Sequence, residues 1–294
     1  MIPKDIIRKV RRIQISTSRK VTDVFAGQYK SVFKGVGMEF EEVREYMPGD
    51  EIRSIDWNVT ARMGHPYVKK FVEERELTIM LVLDASMSSR FGTADRIKSD
   101  LAAEFCSVIA FSAIKNSDKV GMITFTDKVE RFIPARKGVK HVLRVIREAL
   151  YSVPEGKGTD INMALEHLNR VMTRRAIVFL ISDFISSDFR KMLSVTNKWH
   201  DVIAVRVADP SEEDLPDAGV VKLHDAETGE LKVVDTSDTS TRASYRKKAL
   251  KMGEMRNETF KAAKVDSIDI FTDRSYADPL VRFFRMRERR ISRR

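Results

Sequence analysis

Short apolar runs alternate with longer amphipathic segments along most of the chain. The runs cover residues 79–83, 120–125, 176–181, 202–207 and 268–271. Between them, apolar residues recurring every three or four positions predict helices over roughly 96–115, 139–151, 161–172, 187–198 and 242–265. Continuous apolar runs separated by helices, rather than alternating ones, indicate a mostly parallel sheet covered on both faces. Residues 129–133 follow the second run after a short turn and read as an edge strand. Residues 220–223 and 231–234 flank Ala-Glu-Thr-Gly-Glu and predict a surface hairpin.

Before residue 78 the rhythm differs. Ile2, Ile6, Val10 and Ile13 recur at helical spacing with basic residues between them, which predicts an amphipathic helix packed on the rest of the protein. A membrane-surface helix would want Trp or Phe anchors, which this stripe lacks. A glycine-punctuated stretch follows, with turn chemistry at Pro48-Gly49-Asp50, and residues 67–72 read as a short strand. The expected organisation is an N-terminal region over 1–77, an α/β domain over 78–275 and a basic C-terminal segment over 276–294.

Composition narrows the class. At 294 residues, 43% hydrophobic and 33% charged, the chain is an ordinary globular protein with room for one large domain and a smaller appendage. No apolar run approaches the roughly 20 residues that a bilayer requires. The N-terminus has no apolar signal core, so a cytoplasmic location is expected. Cys106 is the single cysteine, which excludes an internal disulfide. Its apolar helical surroundings (Ile97, Leu101, Phe105, Val108) predict a buried, inert thiol.

The formal charge of +10 belongs to the ends. Residues 1–20 and 282–294 carry about +6 each, leaving the intervening chain near −2. An Arg-rich tail bearing Phe283 and Phe284 raises nucleic-acid binding as one alternative function. It would show as steep salt dependence. The near-neutral middle and the lack of a reading motif weigh against it, and the Phe pair beside Leu280 reads better as a docking face for a last helix.

The chemistry gathers where strands end. The first apolar run is followed by Asp84-Ala85-Ser86-Met87-Ser88, and the third by Ser182-Asp183. Between them lies Gly156-Lys157-Gly158-Thr159-Asp160, just before a predicted helix. In open α/β sheets the carboxyl ends of neighbouring strands share one rim, so these segments can converge. Hydroxyls of Ser86, Ser88 and Thr159 with carboxylates of Asp84 and Asp183 suit a hard cation, Mg²⁺ first and Mn²⁺ second. Two carboxylates among neutral oxygens leave such an ion electrophilic, and an Asp or Glu of another molecule is its natural further ligand. That is binding without a nucleophile, so no catalysis is expected. The bland reading makes the Ser and Thr residues helix caps, but caps do not require two strand-end acids beside a Thr loop.

Together, Asp84, Ser86, Ser88, Thr159 and Asp183 resemble the metal-ion-dependent adhesion site of von Willebrand A-type domains. Arg44, Tyr46, Pro48, Gly49, Asp50, Arg53, Ile55, Asp56, Trp57, Ala61 and Arg62 resemble the N-terminal signature of the "domain of unknown function 58" family. Glu227 to Glu230 and the ending Pro279-Leu280…Phe283-Phe284-Arg285…Arg287 are similar to it as well. The resemblance implies a von Willebrand A-like α/β fold over 78–275. It also implies a role beside a MoxR-type AAA+ ATPase, in assembly or activation of other proteins. Many members carry N-terminal transmembrane helices; none is expected from this sequence. Within the signature, Asp50, Arg53 and Asp56 are expected either to form ion pairs that dock the N-terminal region, with Trp57 as an apolar anchor, or to bind a partner directly; paired charges are expected in both cases.

Other chemistries fit poorly. His65, His141, His167, His200 and His224 fall on separate elements with no zinc spacing. Neither a phosphate-binding P-loop nor a nucleophile elbow is present. Phosphoryl transfer with Asp84 as nucleophile is the enzymatic alternative. It would want a second acid two residues on, where Ser86 stands, to protonate the leaving group.

Overall fold

The computed structural model describes residues 39–72, 76–93, 96–224 and 229–291. The helix expected from Ile2, Ile6, Val10 and Ile13 lies outside the described residues. Those that are described fall into two compact units, one within Phe33–Leu77 and one within Thr78–Arg294.

In the smaller unit, β1 (Glu39–Glu45) pairs antiparallel with β2 (Tyr67–Val72), with a bulge between Phe40 and Glu42. A short helix α1 (Trp57–Met63) lies between them. The carboxylate of Asp56 accepts hydrogen bonds from the Asn58 and Val59 amides at the start of α1, and Gly64 at φ +78° ends it. The guanidinium of Arg44 makes a two-pronged bond to Asp50 at 2.7 and 2.8 Å. Asp50 also accepts from the Met47 amide at 2.9 Å, which fixes the Pro48-Gly49 turn. The Arg44 guanidinium, helped by the Met47 amide, holds the Asp50 carboxyl below its usual range. Within this unit Asp50 pairs with Arg44, where the sequence suggested Arg53; the Asp56 carboxylate caps α1, and Trp57 is 66% exposed.

The larger unit is built on one sheet: β3 (Thr78–Asp84), β4 (Lys119–Phe125), β5 (Val129–Arg136), β6 (Ile177–Ser182), β7 (Asp201–Ala208) and β10 (Asp266–Phe271). Their spatial order is β10-β7-β6-β3-β4-β5, and every pairing is parallel except β4 with the edge strand β5. A separate hairpin joins β8 (Val220–His224) to β9 (Leu231–Asp235). The helices are α2 (Lys98–Lys115), α3 (Val139–Tyr151), α4 (Ile161–Val171), α5 (Arg190–Trp199), α6 (Thr239–Ala263) and α7 (Ala277–Ile291). This is the α/β sandwich that continuous apolar runs require, because both faces of a buried strand must be covered.

Strand alternation sends Met80, Val82, Val178 and Leu180 to the face covered by Leu165 and Leu168 of α4, Leu193 of α5 and Phe260 of α6. On the other face Phe179 meets Phe105 of α2, ring centroids 6.0 Å apart. Cys106 of α2 is fully buried, and burial pushes its thiol well above the ordinary range, so it is inert. Leu280, Phe283 and Phe284 dock α7. Two arginines of the basic ending pair with acids of the sheet: Arg287, largely buried, binds Asp201 and Asp266, and the exposed Arg290 binds Asp266 at 2.6 Å. Among the described residues no helix is long and apolar enough to cross a membrane.

Chain order explains where function is to be sought. From β3 the chain moves outward through β4 and β5, then crosses back to place β6 on the other side of β3. The carboxyl ends of β3 and β6 flank this reversal, where open α/β sheets form their binding crevices.

Candidate metal centre

Asp84 is the last residue of β3 and Asp183 follows the last residue of β6, so parallel pairing of the two strands brings both acids to the reversal point. Asp84 is 6% exposed and Asp183 7%. One oxygen of Asp84 accepts from the Ser86 amide at 2.9 Å, and the other from the Ser182 hydroxyl at 2.6 Å. Ser86 and Ser88 place their hydroxyl oxygens 3.0 Å apart. Burial, followed by the neighbouring charge of Asp183, raises the Asp84 carboxyl from 3.8 to about 6, against hydrogen bonds from Ser182 and Ser86.

A tight turn aims Asp183. Its Oδ1 accepts from the Ile185 amide at 3.1 Å, and the Phe184 amide donates to Ser182 Oγ at 3.0 Å. Phe184 holds φ at +60°, a left-handed conformation that a bulky residue keeps only when its surroundings enforce it. Here the surroundings are Phe260 and Phe189, whose rings lie 4.9 and 5.8 Å from that of Phe184. Aromatic packing beneath the rim thus fixes a carboxylate on top of it.

The Thr159 loop is tied in from the other side. Glu130 accepts from the Gly156 amide at 2.8 Å and from the Thr126 hydroxyl at 2.7 Å. A Cβ on Gly156 would collide with Thr126 Oγ1 and Asp127 Oδ1, so only glycine allows this approach. The Met87 amide donates to the Lys157 carbonyl at 3.3 Å, and the Ser186 hydroxyl donates to the Thr159 carbonyl at 3.0 Å. Asp160 caps α4 through the Met163 amide. The backbone of Thr159 is therefore fixed beside the turn that carries Asp183, and its loop beside the one that carries Ser86 and Ser88.

Sequence reasoning missed Lys98. It opens α2 at 2% exposure and donates to Asp183 Oδ2 at 2.9 Å and to Glu212 Oε1 at 2.6 Å. Burial alone would lower its pKa, but Asp183 and Glu212 outweigh burial and hold it above the ordinary value. A lysine at the start of an amphipathic pattern reads as solvent-facing. Its partners lie 85 and 114 residues away, so no local signal marks them. Ser182 was legible only as the neighbour of Asp183, though a hydroxyl one residue before a strand-end acid is a reasonable cue.

Asp84, Ser88, Ser182, Asp183 and Lys98 all face one small cavity of about 10 Å³, room for a single water-sized species. A broader cleft of about 380 Å³ opens beside Asp84, with Arg90, Asp100, Tyr151 and Val153 on its walls. A groove of about 540 Å³ beside Arg206, Arg256 and Phe271 contains none of these rim residues. Among the described residues no cluster of three His, Cys, Asp or Glu side chains could hold an ion. An ion here would rely on hydroxyl oxygens with two carboxylates, an incomplete oxygen donor set of the kind that suits a hard divalent cation.

The model of the family described as "Protein of unknown function DUF58" matches residues 42–255. An uncharacterized protein of Mycobacterium tuberculosis is 31% identical over 283 residues, which is 95% of this chain and 89% of that one. The crystal structure of an aerotolerance-related membrane protein from Bacteroides fragilis is similar in fold, with a TM-score of 0.50 at 16% identity, covering 73% of this chain and 99% of that one. The SpRpn10 von Willebrand A domain gives a TM-score of 0.38 at 14% identity, covering 70% of this chain and 94% of that domain. The chain belongs to the DUF58 family, and its larger unit has a von Willebrand A-like fold.

Proposed function

We propose that the rim binds one divalent cation, Mg²⁺ before Mn²⁺, and uses it to grip an acidic side chain of a partner protein. Ser86, Ser88 and Thr159 supply neutral oxygens. Asp84 and Asp183 supply the charge, and each of their four oxygens already accepts a hydrogen bond, Asp183 Oδ2 from the Lys98 ammonium. Acids engaged in this way suit contact through ordered water as well as direct ligation. When bound, the ion supplies an electrophilic position that a carboxylate completes.

The observation that carries this reading is the water-sized cavity at the sheet's reversal point, faced by both carboxylates and Ser88. Burial and the charge of Asp183 raise the Asp84 carboxyl to about 6, and a cation between the two acids would relieve both. The von Willebrand A-like fold supports a protein-interaction role. The family resemblance supports a MoxR-type AAA+ ATPase, or its client, as the partner class. The cleft beside Asp84 gives a partner segment its approach.

A pull-down of the ATPase by the immobilised chain, with Mg²⁺ and with chelator, tests the reading. Recovery that disappears in chelator and in Asp84→Ala is the expected result. Equal recovery in all conditions would remove the metal from the interaction.

A further inference from the structure

Lys98 stands in a poor place for a cation. It is the first residue of α2, where the helix dipole disfavours positive charge, and no side chain caps that end. Its ammonium is almost wholly buried, which is unfavourable unless carboxylates pair with it. Both partners are there, Asp183 at 2.9 Å and Glu212 at 2.6 Å. Glu212 is itself anchored, because its second oxygen accepts from the Asp209 amide at 3.1 Å. The ammonium faces the same small cavity as Asp84, Ser88 and Asp183.

We propose that Lys98 is a resident cation that keeps the rim's affinity for a free divalent ion low. The ion is then retained firmly only when a partner carboxylate completes its coordination. The inference rests on the reading of the rim as a metal site and concerns how that site is tuned. An entering ion meets an ammonium across the cavity, and like charges in a poorly solvated space repel strongly. It also meets a competitor for Asp183 Oδ2, the oxygen that Lys98 already holds. Glu212 gives Lys98 a second partner, so the ammonium is not stranded when the ion draws on Asp183. Ion and ammonium together favour an acidic ligand, and a partner carboxylate relieves the repulsion between them. Ion and partner therefore bind cooperatively, each raising the affinity for the other.

The test is calorimetric titration of Mn²⁺ into the full chain, into Lys98→Met and into Lys98→Gln, with Asp84→Asn as control. Lys98→Gln removes the charge but can still donate a hydrogen bond to Asp183. Affinity roughly tenfold tighter or better in the Lys98 variants is expected. Mn²⁺ should also raise their melting temperatures more than that of the parent. Unchanged or weaker binding by a folded Lys98 variant, with binding still lost in Asp84→Asn, overturns this inference and leaves the metal site standing. If no folded protein binds Mn²⁺, both fall. If neither Lys98 variant folds with or without Mn²⁺, the inference also falls, because the ion should substitute for the missing ammonium.

Discussion

Two buried aspartates at the carboxyl edge of the sheet, on strands separated by β6, have opposite characters. Asp209, just after β7, is fully buried and accepts from Ser211 N and Oγ, Thr93 N and Oγ1, and Thr272 Oγ1 at 2.6 to 3.0 Å. Burial alone would raise its pKa. The hydrogen bonds from Ser211, Thr272 and Thr93 outweigh burial and hold the carboxyl well below its usual range. Asp84, the last residue of β3, is almost as buried, has fewer donors, faces Asp183 and is raised to about 6. Burial is common to both, so it is not what distinguishes them. The supply of donors makes Asp209 a latch that fastens the Thr93 loop to Thr272, while the shortage at Asp84 leaves a site that a cation would complete.

The largest effect should come from Asp209→Ala, which strands the Thr93, Ser211 and Thr272 donors. We expect a loss on the order of 3–5 kcal/mol in urea unfolding. Asp84→Asn, measured without metal, should stay within about 1 kcal/mol of the parent, because it removes a repelled charge. Equal losses in the two variants would break the comparison. Next in size is the ion itself. Mn²⁺ at about 100 times its Kd should stabilise the parent by about 2.7 kcal/mol and leave Asp84→Asn unmoved.

The pH dependence separates the two acids by sign. Between its ordinary value of 3.8 and about 6, Asp84 binds more protons folded than unfolded. Metal-free stability should therefore fall as pH rises from about 4 to 6, by on the order of 2 kcal/mol, and Asp84→Asn should flatten that decline. Asp209, with its depressed pKa, contributes stability that is present above its unfolded value and lost as pH falls below about 4. Urea titrations across this range check both directions. The smallest effect concerns Ser182→Ala, which removes a donor to Asp84 Oδ2. It should cost about 1 kcal/mol and weaken Mn²⁺ binding only modestly.

Much of the larger unit was legible because its strands announce themselves as unbroken apolar runs bounded by helical periods. Residues 139–151 form a helix over the limits the pattern predicted, and 129–133 begin an antiparallel edge strand that runs on to Arg136. In the smaller unit, α1 went unpredicted although Asp56 and Gly64 are ordinary start and stop signals. β1, Glu-Phe-Glu-Glu-Val-Arg-Glu, was missed because a bulge breaks its alternation and charges outnumber apolar residues. At the rim, Asp84, Ser86, Ser88, Thr159 and Asp183 could be named because each sits at a predicted strand end or pre-helix loop. Lys98, Glu212 and the Asp209 latch could not, since nothing in their local sequence reports partners that only the folded sheet supplies.

The central claim is that a divalent ion binds at the carboxyl ends of β3 and β6. Calorimetric titration of Mn²⁺ into the parent chain and into Asp84→Asn, with both folds verified by circular dichroism, addresses it most directly. The account predicts one saturable site in the parent, weak in the absence of a partner, and none in the variant. Equal binding by both proteins, or no saturable binding by the parent at millimolar Mn²⁺, would contradict it.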